Sequence, residues 1–595
     1  MLKIKSILQI CISVAVLSAC APQKKASEQT VKQVIDDAIS RLYETKSAKE
    51  LESLTEDETM ALFSEEQLNV LATRHWMFDV NVPVTVSVIR STKQEVVPFW
   101  LSTSGFQKTD LTLKNEMATY EIWQKKFDAG TVHLGINGFD NYRLHYFVAV
   151  KTQNEGDDLQ ISHLVPADQP VTVLQDSVTT YNDWTELVTE NVPGSLLGAR
   201  LLTTIRGRGS ESNIVGAFRE TAFPSSDKPD QLMLTWSGDP ATTIDIQWRT
   251  NRTVESGSVS YRELGATKEQ EADAEKFEME DRNLVNDRFI NRFTARLAGL
   301  TPGQKYQYLI APETDWEKAD TFETADQSDK LSFIWTGDTH HSPVAGEVAN
   351  KAYKAHPDAK FISFAGDLVS DGTDRDQWDD LWQFTGNVIK RIPLMSVPGN
   401  HDERYGLGAE MYRNLFSYPK NGPDSIPSEQ TYAFTYNNAL FLMIDGVYST
   451  DLNTKWIEDQ LKNSDAKWKF AMFHFPPYNW EEPYLDMQQA WVPLFDKYHV
   501  DMVFGGHIHY YMRSKPMNGG KVVKSYNEGT AYIISLAIMG QTDPEKATEE
   551  PYAEKREFAN GLYQYINIDG DNLTYESVNL EGKIIDSFSI NKSQK

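Results

Sequence analysis

Hydrophobic positions change their spacing three times along this chain. Near the N-terminus, Val31, Val34, Ile35, Ala38, Ile39 and Leu42 recur at helical intervals. Ser64 with Gln67 three residues on forms a capping box that opens a second helix. These helices predict packing elements or a stalk. From residue 76 the period drops to two. Val80, Val82, Val84, Val86 and Val88 alternate, as do Tyr142, Leu144, Tyr146, Val148 and Val150, with turns at Thr103-Ser-Gly and Asn137-Gly. Residues 76–225 therefore predict a β-rich domain, read as a sandwich of undecided role. A second β unit, 226–326, repeats the alternation at Leu232, Leu234 and Trp236 and again at Ile244, Ile246 and Trp248. The acidic run from Glu269 to Asp281 reads as a solvated loop rather than a metal site.

After Lys330 short apolar runs alternate with helical patterns. Strands are expected at Leu331 to Thr336, Phe361 to Ala365, Ile392 to Val397, Leu440 to Ile444, Trp468 to Phe473 and Val500 to Phe504. Helices are expected near Ala345 to Lys354 and Gln377 to Lys390. That rhythm predicts an α/β domain over 327–520. The strand-rich tail, 521–595, is expected to complete it or to dock on the neighbouring sandwich.

Length and charge narrow the reading. At 595 residues the chain exceeds one hydrophobic core. A formal charge of -27 argues against nucleic-acid backbones as partners. Lys3 and Lys5 precede an apolar run from Ile7 to Leu17 and then Ser18-Ala19-Cys20, the pattern of an export signal over 1–19. The cysteine at the cut resembles a bacterial lipobox. That resemblance implies lipidation of Cys20, a membrane anchor, and, with Ala21 next, the outer membrane. Residues 20–75 are then a tether and a helical segment. Cys11 and Cys20 are the only cysteines, so a mature chain beginning at Cys20 would carry no internal disulfide.

The chemistry gathers where apolar strands end. In order come Thr336-Gly-Asp338-Thr-His340-His341, Ala365-Gly-Asp367, Gly399-Asn400-His401-Asp402, Phe473-His474-Phe-Pro and Gly505-Gly-His507-Ile-His509. Six of the twelve histidines lie in these five clusters, so the clustering exceeds ordinary turn chemistry. Strand ends of an open α/β sheet converge on one crevice. Carboxylates, imidazoles and an amide without thiolates suit Mn, Fe or Zn ions, and His-x-His lets alternate residues of an extended segment share one ion.

This order of motifs resembles the calcineurin-like metallophosphoesterases over about 331–515. The Leu297-Ala-Gly-Leu-Thr-Pro-Gly-Gln-Lys-Tyr306 stretch is similar to the fibronectin-III-like N-terminal domain of the purple acid phosphatase branch. The resemblance implies a multidomain fold, with an α/β metallophosphoesterase sandwich preceded by β-sandwich domains. It also implies two transition-metal ions. Asp338, His340, Asp367 and His509 would hold the first; Asp367 would bridge to the second, completed by Asn400, His474 and His507. His401 would stabilise the developing charge or protonate the leaving group, with Asp402 or Asp371 orienting it.

Two departures from that branch matter. Its Asp-x-Gly opening has His340 in place of the Gly, and its metal-binding tyrosine is replaced by Ser370. One ligand is gained and one lost, which predicts no purple colour. The histidine pair expected soon after Asn479 is replaced by Trp480, Glu481, Glu482 and Pro483, leaving His341, Arg375 and Arg404 as candidate substrate contacts. The expected activity is phosphomonoester hydrolysis outside the cytoplasm. A phosphodiesterase with the same metal centre and a non-catalytic surface binding lipoprotein are the alternatives.

Overall fold

The computed structural model describes residues 29–593 except 143, 168, 404–405, 483, 539–547, 549 and 559–560. The export signal, Cys20 and Arg404 therefore lie outside the described residues. Among those described, no helix is long and apolar enough to cross a membrane.

Four short helices open the fold: Val31–Thr45, Ala48–Glu52, Glu56–Met60 and Glu65–Thr73. Each begins with a reciprocal capping box, built on Thr30/Gln33, Ser47/Glu50, Thr55/Glu58 and Ser64/Gln67. Val31, Val34, Ile35, Ala38, Ile39 and Leu42 are the buried positions of the first. They pack on Ile136, Phe139, Ile214 and Phe218 of the β domain. Arg282 of the next domain pairs with Asp36 at 2.8 Å, and Tyr43 Oη donates to the carbonyl of Arg282 at 2.9 Å. The helices are thus a wedge between two domains and not a stalk.

The β-rich domain has a six-stranded sheet that includes Val84–Ser91 and Phe147–Thr152, and a three-stranded sheet centred on Trp76–Val80. The two enclose a core of Phe78, Val86, Val88, Trp100, Tyr146 and Val148. The valine alternation from residue 80 to 88 is two strands in different sheets. Asn81-Val82-Pro83 breaks it, because proline has no amide hydrogen for a ladder.

Residues 230–323 form two four-stranded antiparallel sheets. Trp248 stacks on Phe293 in their shared core, with ring centroids 5.4 Å apart. Tyr306 Oη accepts the amide of Thr301 at 2.9 Å, the tyrosine-corner bond that pins a sandwich edge. The acidic run is not a loop: Gln270–Asp273 and Glu275–Glu280 are strands at opposite sheet edges, their carboxylates discouraging further pairing.

The C-terminal part is a two-sheet sandwich flanked by helices. A seven-stranded sheet carries a parallel centre, Ala439–Met443, Trp468–Met472, Met502–Gly505 and Ala531–Ile534. A five-stranded sheet pairs Lys330–Thr336 in parallel with Ile362–Phe364 and antiparallel with Leu562–Asp569. Phe333, Phe441, Phe470 and Phe504 interleave between the sheets. The tail supplies strands to both. Ile392 to Val397 is not a regular strand: isolated bridges join Leu394 to Ile362 and Val397 to Ala365. Pro393 and Pro398 remove the donors that a full ladder would need.

Candidate metal centre

Asp338 follows the strand Lys330–Thr336, Asp367 follows Ile362–Phe364, His474 follows Trp468–Met472, and His507 follows Met502–Gly505. The adjoining turns must approach very closely. A Cβ on Gly399 would lie 2.2 Å from Asp367 Oδ1, and one on Gly506 would lie 2.1 Å from Asp338 Oδ1. Only glycine fits either place. His340, His341, Asp367 and His507 all take left-handed backbone conformations, a strain that persists where surrounding structure over-determines it.

The result is two facing groups, Asp338, His340 and His509 in one and Asp367, His474 and His507 in the other. Within each, the nearest ligand atoms lie within 4.8 Å of one another. Asp338 is further held by the amide of His507 at 2.8 Å, and Asp367 by the amide of His401 at 2.9 Å.

His474 Nδ1 lies 2.8 Å from the carbonyl oxygen of Ala365, so this nitrogen carries the hydrogen. Its Nε2 then faces Asp367 Oδ2 at 3.1 Å, a contact that a proton on Nε2 or a metal ion beside both groups would satisfy. His340 Nε2, His474 Nε2 and Asn400 Oδ1 are all buried without a hydrogen-bond partner. Groups of this kind cost about 1–3 kcal/mol each when left unmatched. Burial opposes charge on His474, yet the carboxylates of Asp367 and then Asp338 raise its pKa to about 9. The cradle demands positive charge, and the donor set fits transition-metal ions.

His401 stands beside this cradle, its ring centroid 5.0 Å from that of His340. Its Nδ1 is 2.8 Å from the carbonyl oxygen of Ser370. Asp402 does not orient it. The carboxylate of Asp402 accepts the amides of Val369 at 3.1 Å and Gly399 at 2.9 Å, so it locks the metal-binding turns together. Asp371 Oδ1 accepts the amide and hydroxyl of Thr373.

Arg375 is also displaced from its expected role. It is fully buried and bonded to Asp287 of the sandwich at 2.8 Å, because the helix Arg375–Ile389 turns that face toward the domain seam. His341 lies one residue beyond a candidate ligand and is tied to Asp380 at 3.0 Å. Sequence reading missed Ser370 as a partner of two histidines, and Gln377, whose Oε1 holds the amides of Ser370 and Asp371. A glutamine in a helix gives no local sign of that duty.

Known proteins supply the family context. A calcineurin-like phosphoesterase family profile matches residues 331–511, and a purple acid phosphatase N-terminal domain profile matches residues 229–324. An uncharacterized protein of Mycobacterium tuberculosis is 25% identical over 333 residues, 48% of this chain and 62% of that protein. Purple acid phosphatase 15 of Arabidopsis thaliana is 27% identical over 194 residues, 29% of this chain and 36% of its own. The matched regions thus span less than two thirds of either relative. A purple acid phosphatase from yellow lupin (Lupinus luteus) seeds shares the fold with a TM-score of 0.54 at 13% identity, over 88% of this chain and 91% of that one. Residues 331–511 of this chain are a calcineurin-like phosphoesterase domain, preceded by a purple acid phosphatase N-terminal domain at 229–324.

Proposed function

We propose that this protein is a dinuclear metal-dependent phosphatase that hydrolyses phosphomonoesters outside the cytoplasm, anchored through Cys20. The observation that carries the reading is the trio of buried, unpartnered atoms, His340 Nε2, His474 Nε2 and Asn400 Oδ1, at two acidic, histidine-rich strand ends. Asp338, His340 and His509 would hold one ion. Asp367, His474, His507 and Asn400 would hold the other, with Asp367 shared. When bound, such ions supply Lewis acidity toward phosphoryl oxygens and a water acidic enough to attack near neutral pH.

His401 handles the proton. Its Nδ1 hydrogen is committed to the carbonyl of Ser370, which fixes the ring, so that in the imidazolium form the second hydrogen, on Nε2, is the one passed to the departing alkoxide. The amide of the same residue holds Asp367 Oδ1. One turn therefore sets both a metal carboxylate and the acid.

The test uses protein lacking residues 1–20, assayed on p-nitrophenyl phosphate and on bis(p-nitrophenyl) phosphate with Mn, Zn and Fe. Monoester turnover that collapses in Asn400→Ala and His401→Ala is expected. Preference for the diester would replace the monoesterase reading, and no turnover with any metal would end the enzymatic one.

A further inference from the structure

The peptide unit that joins Ser370 to Asp371 is held from both of its edges. Its carbonyl oxygen, that of Ser370, meets His401 Nδ1 at 2.8 Å. Its amide hydrogen, that of Asp371, is donated to Gln377 Oε1 at 2.9 Å. In a planar trans unit these two groups point in opposite directions. Gln377 and His401 therefore hold opposite edges of one rigid plate. Gln377 Oε1 also accepts the amide of Ser370 at 2.9 Å, which uses both of its lone pairs. The amides on either side go to the metal turn, Val369 to Asp402 at 3.1 Å and Gly372 to the carbonyl of His401 at 2.7 Å.

Gln377 is itself placed by a helix fixed at its start. In the first turn of Arg375–Ile389, the N-cap Asp374 pairs with Arg219 at 2.9 Å and Arg375 with Asp287 at 2.8 Å. Asp376 accepts the hydroxyl of Thr221. Gln377 comes next, and its Nε2 reaches Asp374 Oδ2 at 3.4 Å. That contact turns the nitrogen end of the amide away and leaves the oxygen end for the loop.

We infer that Gln377 is a positioning residue of the site. By holding the Ser370–Asp371 peptide it aims the carbonyl that orients His401, and with it the Ser370 hydroxyl beside His340. This rests on the reading of His401 as the acid. The bond to the amide also polarises the carbonyl of the same unit, because hydrogen bonds in a chain strengthen one another. Aim matters because a displacement of about 1 Å near the reacting groups can lower a rate about 100-fold.

The test compares phenyl phosphate with p-nitrophenyl phosphate on metal-loaded protein. Phenolate is the more basic leaving group, so its departure leans more on the proton that His401 delivers. Gln377→Met and Gln377→Ala remove the oxygen, whereas Gln377→Glu keeps one that can accept both amides. Gln377 is only partly buried, and urea midpoints check that each variant folds. In the Met and Ala variants kcat on phenyl phosphate should fall about 10- to 100-fold with little change in KM. The fall on p-nitrophenyl phosphate should be smaller, and Gln377→Glu should keep the parent ratio of the two. Equal loss on both esters, or no loss, would overturn the inference by marking a purely structural role. If the parent turns over neither ester, the phosphatase reading falls, and chelator competition decides about Gln377. Metal binding about tenfold weaker in Gln377→Met, and spared in Gln377→Glu, would uphold the positioning through His340. Affinities equal to the parent in every variant would overturn it.

Discussion

Ser370 Oγ lies 3.2 Å from Nδ1 of His340. The residue that stands where the purple acid phosphatases have their metal-binding tyrosine thus supports the histidine gained in exchange. It steadies that ring instead of reaching a metal itself. Partners of ligating histidines tune metal affinity by about 10- to 100-fold. Ser370→Ala should weaken metal binding by about that factor in a chelator competition. Turnover at saturating metal should persist, because the Ser370 carbonyl that orients His401 is backbone.

Asp402 was expected to assist proton transfer, but its two bonds go to backbone amides. Asp402→Asn must turn its NH2 toward one of those amides, leaving a buried donor unmatched at a cost of about 1–3 kcal/mol. The urea midpoint should drop accordingly. The pH profile of kcat should stay in place, and a shift in that profile would restore Asp402 to the catalytic relay.

Arg375 joins the helix Arg375–Ile389 to the sandwich through Asp287 at 2.8 Å, with both side chains nearly buried. Removing one member of a buried pair costs about 3–5 kcal/mol, since the other charge is stranded. Arg375→Met should therefore lower thermal stability strongly. KM for the nitrophenyl ester should not change.

His75 and His145 share a fully buried contact, Nε2 to Nε2 at 2.8 Å. His145 Nδ1 donates to the carbonyl of Tyr146 at 2.6 Å, so its Nε2 accepts and His75 donates. Burial, and then the Arg208 guanidinium, hold both pKa values well below the ordinary imidazole range. The unfolded chain takes up protons near pH 6.5 that the folded chain refuses. Stability from this pair is complete above about pH 6.5. As the pH falls further, each histidine should remove about 1.4 kcal/mol per pH unit until the depressed folded value is reached. Denaturant titrations between neutral and acid pH should show this slope reduced in His75→Gln.

The proposed lipid anchor would make membrane attachment depend on a single atom, the sulfur of Cys20. Cys20→Ser should move the protein from the membrane fraction to the soluble one, read by fractionation and blotting. An unchanged distribution would remove the lipid anchor from the account.

The strand ends were legible because two signals coincide in short stretches: an apolar run long enough to be buried, and small residues followed by ligand atoms. The clusters that hold Asp338, Asp367, Asn400, His474, His507 and His509 could be located on that basis, while their assignment as ligands came from the family resemblance; two of the N-terminal helices could be seen in apolar periodicity and one capping box, but not their place between two domains. Periodicity is a local property of the backbone, so it survives without knowledge of the fold. It does not say what lies across a gap. Whether the carboxylate of Asp402 faces an imidazole or the amide of Val369 depends on how segments 33 residues apart meet. Whether Arg375 faces a substrate or Asp287, 88 residues away, depends on the domain seam. The tetrapeptide Gly399-Asn-His-Asp402 shows the division most plainly. Sequence alone determined that it carries an amide, an imidazole and a carboxylate on a tight turn. Only the tertiary structure decided that the amide oxygen is left without a partner, the imidazole is aimed by Ser370, and the carboxylate holds the turn closed.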